Sequence, residues 1–211
     1  THKKAYHISC AQLYSNTPSD FDFKLKQTAT PLTTTQLVGL LKTVDVVFPA
    51  MHGMFGEDGG VQRFLEHHKL SFVGSGSQAC RKAFDKFKAH QFLQARGFYT
   101  LPCVLLKKGI HDHRATIQTF FAEHHIQRAI IKPAVGGSSI GVFSVSTPRE
   151  AQREAQFLFA QGITRVVLEP FAQGHEFTTI ILQNHEGVPV ALPPTEIETD
   201  YTENQIFDFR K

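Results

Sequence analysis

Apolar and polar positions follow two periods along this chain, and the switches between them mark out its elements. Residues 45–50, DVVFPA, form a short apolar run that predicts a buried strand, and it leads straight into the glycine-rich stretch HGMFGEDGG at 52–60. Val61, Phe64, Leu65 and His68 then recur at helical spacing, and LSFVG after Lys69 reads as a second strand closed by a turn at Gly74 and Gly76. Strand, loop, helix and strand in that order predict an α/β domain with parallel pairing.

Residues 77–96 read as one helical stretch that stops at Gly97, a residue suited to the left-handed position after a helix. TLPCVLL at 100–106 reads as a strand, 114–124 as a helix, and 128–133 as a strand. GGSS follows at 136–139 and GVFSV resumes as a strand, so this loop joins two strands. Residues 147–162 are the best-specified helix: Thr147 can cap it, Pro148 fits its first position, and Glu150 sits where a capping box wants a carboxylate. Ala151, Ala155, Leu158 and Phe159 give it one apolar face. Strands are expected at 165–169 and 177–182, separated by PFAQGHE, and again at VPVAL; residues 195–211 are polar and close on IFDF. Three blocks follow: a partial N-terminal α/β domain at 1–84, a central α+β block at 85–174, and a C-terminal block at 175–211 whose short strands cannot bury a core alone.

With 41% hydrophobic residues and 19 Phe in 211, the chain has the material for a real core. No apolar run approaches the roughly 18 residues of a membrane span. A net charge of +3, scattered along the chain, gives no nucleic-acid footprint. Cys10, Cys80 and Cys103 are odd in number and far apart, against a disulfide framework and a CxxC zinc site and in favour of a reducing cytoplasm. His67 and His68, His111 and His113, and His124 and His125 all lack the i, i+4 spacing of a helical zinc site. No signal peptide is visible and Thr1 is not an initiator methionine, so the start is expected to be truncated or processed.

The strongest chemical signal is IIKPAVGGSSIGV at 130–142. Lys132 ends an apolar strand, and the backbone N–H groups of Gly136, Gly137, Ser138 and Ser139 can wrap phosphate oxygens while the lysine supplies a point charge. A plain β-hairpin loop with a surface lysine is the alternative. Lys86, beside Asp85, is a second cation, or an exposed helix lysine. Glu169 and Glu176, seven residues apart across a turn, can line one cleft and accept from a ribose and an adenine amino group, or stand as solvated strand ends. His52, Glu57 and Asp58 lie in a loop at a strand's carboxyl end, the ligand-facing edge of a parallel sheet. The loop's glycines equally suit a tight turn with no ligand.

In order, HGxxGEDG, VGSGxxA, DK, a KPxxxGSSxGV-like run and a strand glutamate with GxE soon after resemble the D-alanine:D-alanine ligase family of the ATP-grasp fold, over about residues 46–182 and weakly to 211. The resemblance implies a Rossmann-like pre-ATP-grasp domain, partial here, followed by an incomplete ATP-grasp domain. It also implies a cytoplasmic, ATP-dependent carboxylate-amine ligase that joins two D-alanines through an acyl phosphate in peptidoglycan precursor synthesis. The expected ligands are ATP, Mg2+ and small-molecule substrates, the expected partner a second copy in a homodimer, with no nucleic acid and no membrane.

By the same resemblance, Lys86 and Lys132 hold ATP phosphates, Glu169 and Glu176 are nucleotide-binding carboxylates, and Pro170, Phe171 and Ala172 are the hinge whose backbone meets adenine. Residues 135–139, with Gly136, Gly137 and Ser139, form a mobile lid. Ser138 orients the D-alanine substrates and is the candidate catalytic residue. His52 and Glu57 lie near the first substrate's pocket, and IFDF resembles the family's FYDY.

The family's opening glycine-rich strand is not found, and its Lys-Tyr pair and magnesium ligands are expected beyond residue 211. The chain therefore reads as the middle of a longer ligase, expected to bind ATP weakly at most and to be inactive alone. D-lactate or D-serine as second substrate, another ATP-grasp ligase, and a non-catalytic nucleotide-binding module are the alternatives.

Overall fold

A computed structural model describes residues 4–12, 17–110, 112–137 and 139–197. The chain divides into two compact units between Cys80 and Arg81.

In the first unit, β1 (Ala5–His7) pairs antiparallel with β2 (Thr30–Leu32), with α1 (Pro18–Thr28) between them in sequence and α2 (Thr34–Leu41) after them. Thr33 caps α2 reciprocally: its hydroxyl accepts the Gln36 amide at 3.3 Å, and its own amide donates to the Gln36 side chain at 2.9 Å. α3 (Gly60–His67) starts after Gly59, which takes φ 86°; of the residues at helical spacing it buries Val61 and Leu65 and half-buries Phe64, and it also buries Gln62.

The expected buried strand at 45–50 is reduced to a single parallel bridge between Val47 and Phe72. Val47 donates to Ser71 O and accepts from Val73 N, both at 2.9 Å. Val46 is 52% exposed and Phe48 73%. An apolar run becomes a buried parallel strand only where neighbours complete its ladder and cover both faces, and among the described residues only one rung of one neighbour does so. The LSFVG strand contracts to the same rung.

The helix expected over 77–96 is broken into α4 (Ser77–Phe84) and α5 (Lys86–Gln94). Asp85 is the break: its backbone is extended, φ −91° and ψ 102°, and its carboxylate accepts the Lys88 amide at 3.1 Å as the N-cap of α5. After α5, Gly97 takes φ 78°.

The second unit is built on a four-stranded sheet of β3 (Val104–Lys107), β4 (Ala129–Pro133), β5 (Phe143–Val145) and β6 (Arg165–Pro170), in the order β3-β6-β4-β5. Every neighbouring pair is antiparallel. α6 (Arg114–Glu123) links β3 to β4, and α7 (Pro148–Ala160) links β5 to β6. Thr147 caps α7 by accepting the Glu150 amide at 3.2 Å, while the Glu150 carboxylate takes the Ser146 amide at 2.8 Å, one residue beyond the expected capping box.

Alternation divides the sheet's two faces. Leu106, Ala129, Ile131, Val145, Val166 and Leu168 meet Ile117, Phe120 and Phe121 of α6 and Ala151, Ala155 and Leu158 of α7 in one core. Their neighbours in sequence, Lys132 on β4 and Arg165 and Glu169 on β6, leave by the other face.

Past β6 the expected strand at 177–182 splits into β7 (Glu176–Thr178) and β8 (Ile181–Gln183). β7 pairs with β10 (Thr195–Ile197) and β8 with β9 (Pro189–Ala191), so the break at 179–180 is where the chain changes partner. Phe177, Ile181 and Leu182 are exposed. IFDF at 206–209 lies outside the described residues. Among the described residues no helix is long and apolar enough to cross a membrane.

Leu168 is fully buried under both helices. Leu168→Ala is expected to cost ~2–5 kcal/mol in urea unfolding, whereas Phe48→Ala, at an exposed position, is expected to stay within about 0.5 kcal/mol of the parent.

Candidate functional site

Lys132 stands on β4 opposite Val167 of β6, and Glu169 is the next residue of β6 on the same face. Their side chains form an ion pair, each about one-fifth exposed. Diagonal neighbours across an antiparallel pair lie within reach of long side chains, so the register itself brings these two residues together.

Lys86 arrives from the break before α5. Its amide donates to Ala134 O at 2.8 Å, and its ammonium donates to Gly136 O at 2.8 Å, at the glycine loop that follows β4. Its pKa is lowered, first by burial and then by the positive charge of Lys132, with Glu169 and Asp85 opposing. The exposed-helix reading of this lysine does not hold: the side chain is half-buried and addressed to the loop.

What fixes Lys86 there is Asp85, whose own side chain is only 7% exposed. The Arg165 guanidinium donates to its carboxylate at 2.5 Å. Burial alone would push this carboxyl up, but the Arg165 hydrogen bond and charge, with the Lys88 amide, outweigh it and hold the pKa below the ordinary value.

The loop bends at Gly136, φ 120°, and at Ser139, φ 53°. The first of these is a backbone conformation that glycine adopts without steric cost. Gly137 O accepts the Ile140 amide at 3.3 Å. Ser138 lies outside the described residues.

Beside the ion pair opens a cavity of about 470 Å3. Arg128, Ile130 and Lys132 line it from β4 and its approach, and Glu169, Pro170, Phe171, Ala172 and Glu176 from the end of β6 and the turn after it. Both predicted carboxylates therefore border one cavity. The Phe171 amide donates to Arg128 O at 2.9 Å, which ties the turn to the strand.

His52 and Glu57 belong to the first unit. The Glu57 carboxylate accepts the Gly53 amide at 2.6 Å, and its other oxygen lies 3.7 Å from His52 Nδ1. The His52 side chain is 96% exposed. Asp58 accepts the Gly60 amide at 2.9 Å as α3 begins. Among the described residues no group of three His, Cys, Asp or Glu could hold a metal ion.

Arg128, Arg165 and Cys103 are site-face residues that the sequence reading passed over. The signal was present: counting back by twos from Lys132 reaches Arg128, and from Glu169 reaches Arg165. Cys103 immediately precedes β3, and its thiol is pushed up to about 11 by burial and by the charge of Glu169, against the pull of Lys132.

Two family profiles match the chain: "D-ala D-ala ligase N-terminus" over residues 2–75 and "D-ala D-ala ligase C-terminus" over residues 92–211. A D-alanine–D-alanine ligase of Leptospira biflexa is 33% identical over 165 residues, 77% of this chain and 45% of that protein. The D-alanine–D-alanine ligase of Coxiella burnetii superposes with a TM-score of 0.79 at 27% identity, over 92% of this chain and 58% of that one. A Bacillus anthracis D-alanine–D-alanine ligase, solved in complex with ATP, has a TM-score of 0.62 at 24% identity, over 81% of this chain and 54% of that one, and so shows the fold alone. The chain spans about half the length of the curated relatives it matches.

The Asp85 pKa is depressed in the folded state, so its contribution is fully present above the unfolded carboxyl value, about 3.9, and fades as pH falls through the folded one. Asp85→Asn is expected to lose ~1–3 kcal/mol at pH 7. In melting curves taken from pH 7 to pH 3, the gap between variant and parent should hold down to about pH 4 and narrow below it.

Proposed function

The chain belongs to the D-alanine–D-alanine ligase family, and from that membership we propose that it carries the ATP-holding part of an ATP-dependent carboxylate-amine ligase that joins two D-alanines in peptidoglycan precursor synthesis. The observation that carries the reading is the convergence of Lys86, Lys132, Glu169 and Glu176 with the loop at Gly136 and Gly137. Lys132 at one end of the cavity, with Lys86 and the glycine backbone it bonds nearby, suits a polyphosphate, and carboxylates with a backbone turn along the rest suit a ribose and a base.

In this assignment Lys86 and Lys132 clamp the phosphates. Lysine charge serves phosphoryl transfer chiefly by stabilising oxygens whose charge shifts during the reaction. Gly136, Gly137 and Ser139 belong to a lid, and its Ser138 orients D-alanine. Glu169 and Glu176 accept from ribose and adenine, and the backbone of Pro170, Phe171 and Ala172 faces the base. His52 and Glu57 stand near the first D-alanine. The central subdomain then runs over 85–174, with the C-terminal one beginning at 175.

The reaction proceeds in two displacements. A carboxylate oxygen of the first D-alanine attacks the γ-phosphorus, the bond to the bridging oxygen breaks, and ADP leaves with an acyl phosphate formed. The amine of the second D-alanine attacks the acyl carbon, inorganic phosphate departs, and the nitrogen gives up its proton. Closure of the lid keeps water from the acyl phosphate. Mg2+ is expected to come with ATP as counter-charge to its phosphates; the described residues offer it no three-ligand set. On this reading the protein is cytoplasmic, binds no nucleic acid and works as a homodimer.

Lys132→Ala and Lys86→Ala are each expected to raise the Kd for ATP about tenfold, 1.4 kcal/mol per decade, measured by titration calorimetry. ATP affinity unchanged in both variants would remove the phosphate assignment. For the reaction, assayed on protein of the full length of the matched relatives, release of inorganic phosphate is expected to depend on D-alanine and to run faster with it than with D-lactate or D-serine as second substrate; residues 1–211 alone are expected to form no dipeptide. Release that ignores D-alanine would count against the ligase.

A further inference from the structure

Arg128 immediately precedes β4 and lines the same cavity as Ile130 and Lys132. Four residues of extended chain separate it from Lys132, about 13 Å, so the cavity has a cation near each end. At the Lys132 end stands Glu169, with Lys86 close enough to both to feel their charge. At the Arg128 end stands the turn that follows β6.

Three contacts hold Arg128 to that turn and to the sheet. Its carbonyl accepts the Phe171 amide at 2.9 Å. Its guanidinium carbon lies 3.9 Å from the centroid of the Phe171 ring. Its Nε donates to Ser144 Oγ on β5 at 2.8 Å. Phe171 is thus gripped through its backbone and through its ring by a single residue, and Ser144 orients the guanidinium that makes the second contact. A planar guanidinium stacks on an aromatic face in a way an ammonium does not.

We propose that Arg128 is a positioning residue for the base end of the cavity: by clamping Phe171 it fixes the turn at 170–172 against which a nucleotide base is held. The proposal rests on the nucleotide reading of the cavity and goes beyond it, since it assigns Arg128 to base affinity and not to phosphate affinity, although both ends are cationic. The family-like hinge alone does not require it; the stack and the Ser144 bond do.

Binding of ATP and of inorganic tripolyphosphate to the full chain separates the two ends. Arg128→Ala is expected to weaken ATP roughly three- to tenfold, the range of a partly desolvated cation–π contact, and to leave tripolyphosphate unchanged. Lys132→Ala should weaken both ligands. Phe171→Leu should match the Arg128→Ala loss, and the double variant should lose no more than either single one. Should Arg128→Ala fail to fold, Arg128→Lys, which keeps the charge and the backbone bond, carries the same comparison with a smaller loss for ATP alone. Equal weakening of ATP and tripolyphosphate in the arginine variants, or none in either, overturns the proposal while the nucleotide reading stands. Protein of the full length of the matched relatives that binds neither ligand overturns both.

Discussion

One buried carboxylate organises the end of the site where Lys86 meets the glycine loop. Asp85 interrupts what the side-chain pattern writes as a continuous helix, because its oxygens have better partners than a helical backbone would leave them: the Lys88 amide on one side and the Arg165 guanidinium on the other. An ionised carboxylate at 7% exposure is tolerable only when paired and hydrogen-bonded. The pairing anchors the start of α5 to β6, and the next residue, Lys86, is thereby delivered to Ala134 and Gly136. Without that anchor Lys86 would be a lysine on an exposed helix.

The sheet of the second unit carries this arrangement because its faces are chemically unlike. One face supplies Ile131, Val166 and Leu168 to a core closed by two helices, which makes β4 and β6 rigid. The other face uses the same two strands as a mount. Register, not sequence proximity, sets Lys132 diagonal to Glu169 across 37 positions of chain. A slip of one residue would turn every charged side chain into the core, so core packing and site geometry are enforced by one constraint.

The turn after β6 joins that rigid mount to two small antiparallel pairs that bury little. Glu176, the second cavity carboxylate, begins the first of them. The cavity therefore has one wall on a packed sheet and another on a segment whose placement depends on a few contacts, Phe171 to Arg128 foremost among them.

The sequence alone determined the elements with strong local codes: α7 from its cap, proline and apolar face, β4 and β6 from β-branched runs, α3 from its spacing. It also identified Lys132, Glu169, Glu176 and the glycine loop as candidate chemistry, since residue type and flanking glycine are visible in one dimension. Tertiary structure decided the rest. Whether DVVFPA is a covered strand depends on neighbours that pair with it, whether 77–96 is one helix or two depends on an arginine 80 residues from Asp85, and whether Arg128 belongs to the site depends on the ring of Phe171. Local codes act through bonds to residues a few positions away, while a charge pair, a ladder or a stack is fixed by where a distant segment comes to rest, and no short-range pattern specifies that.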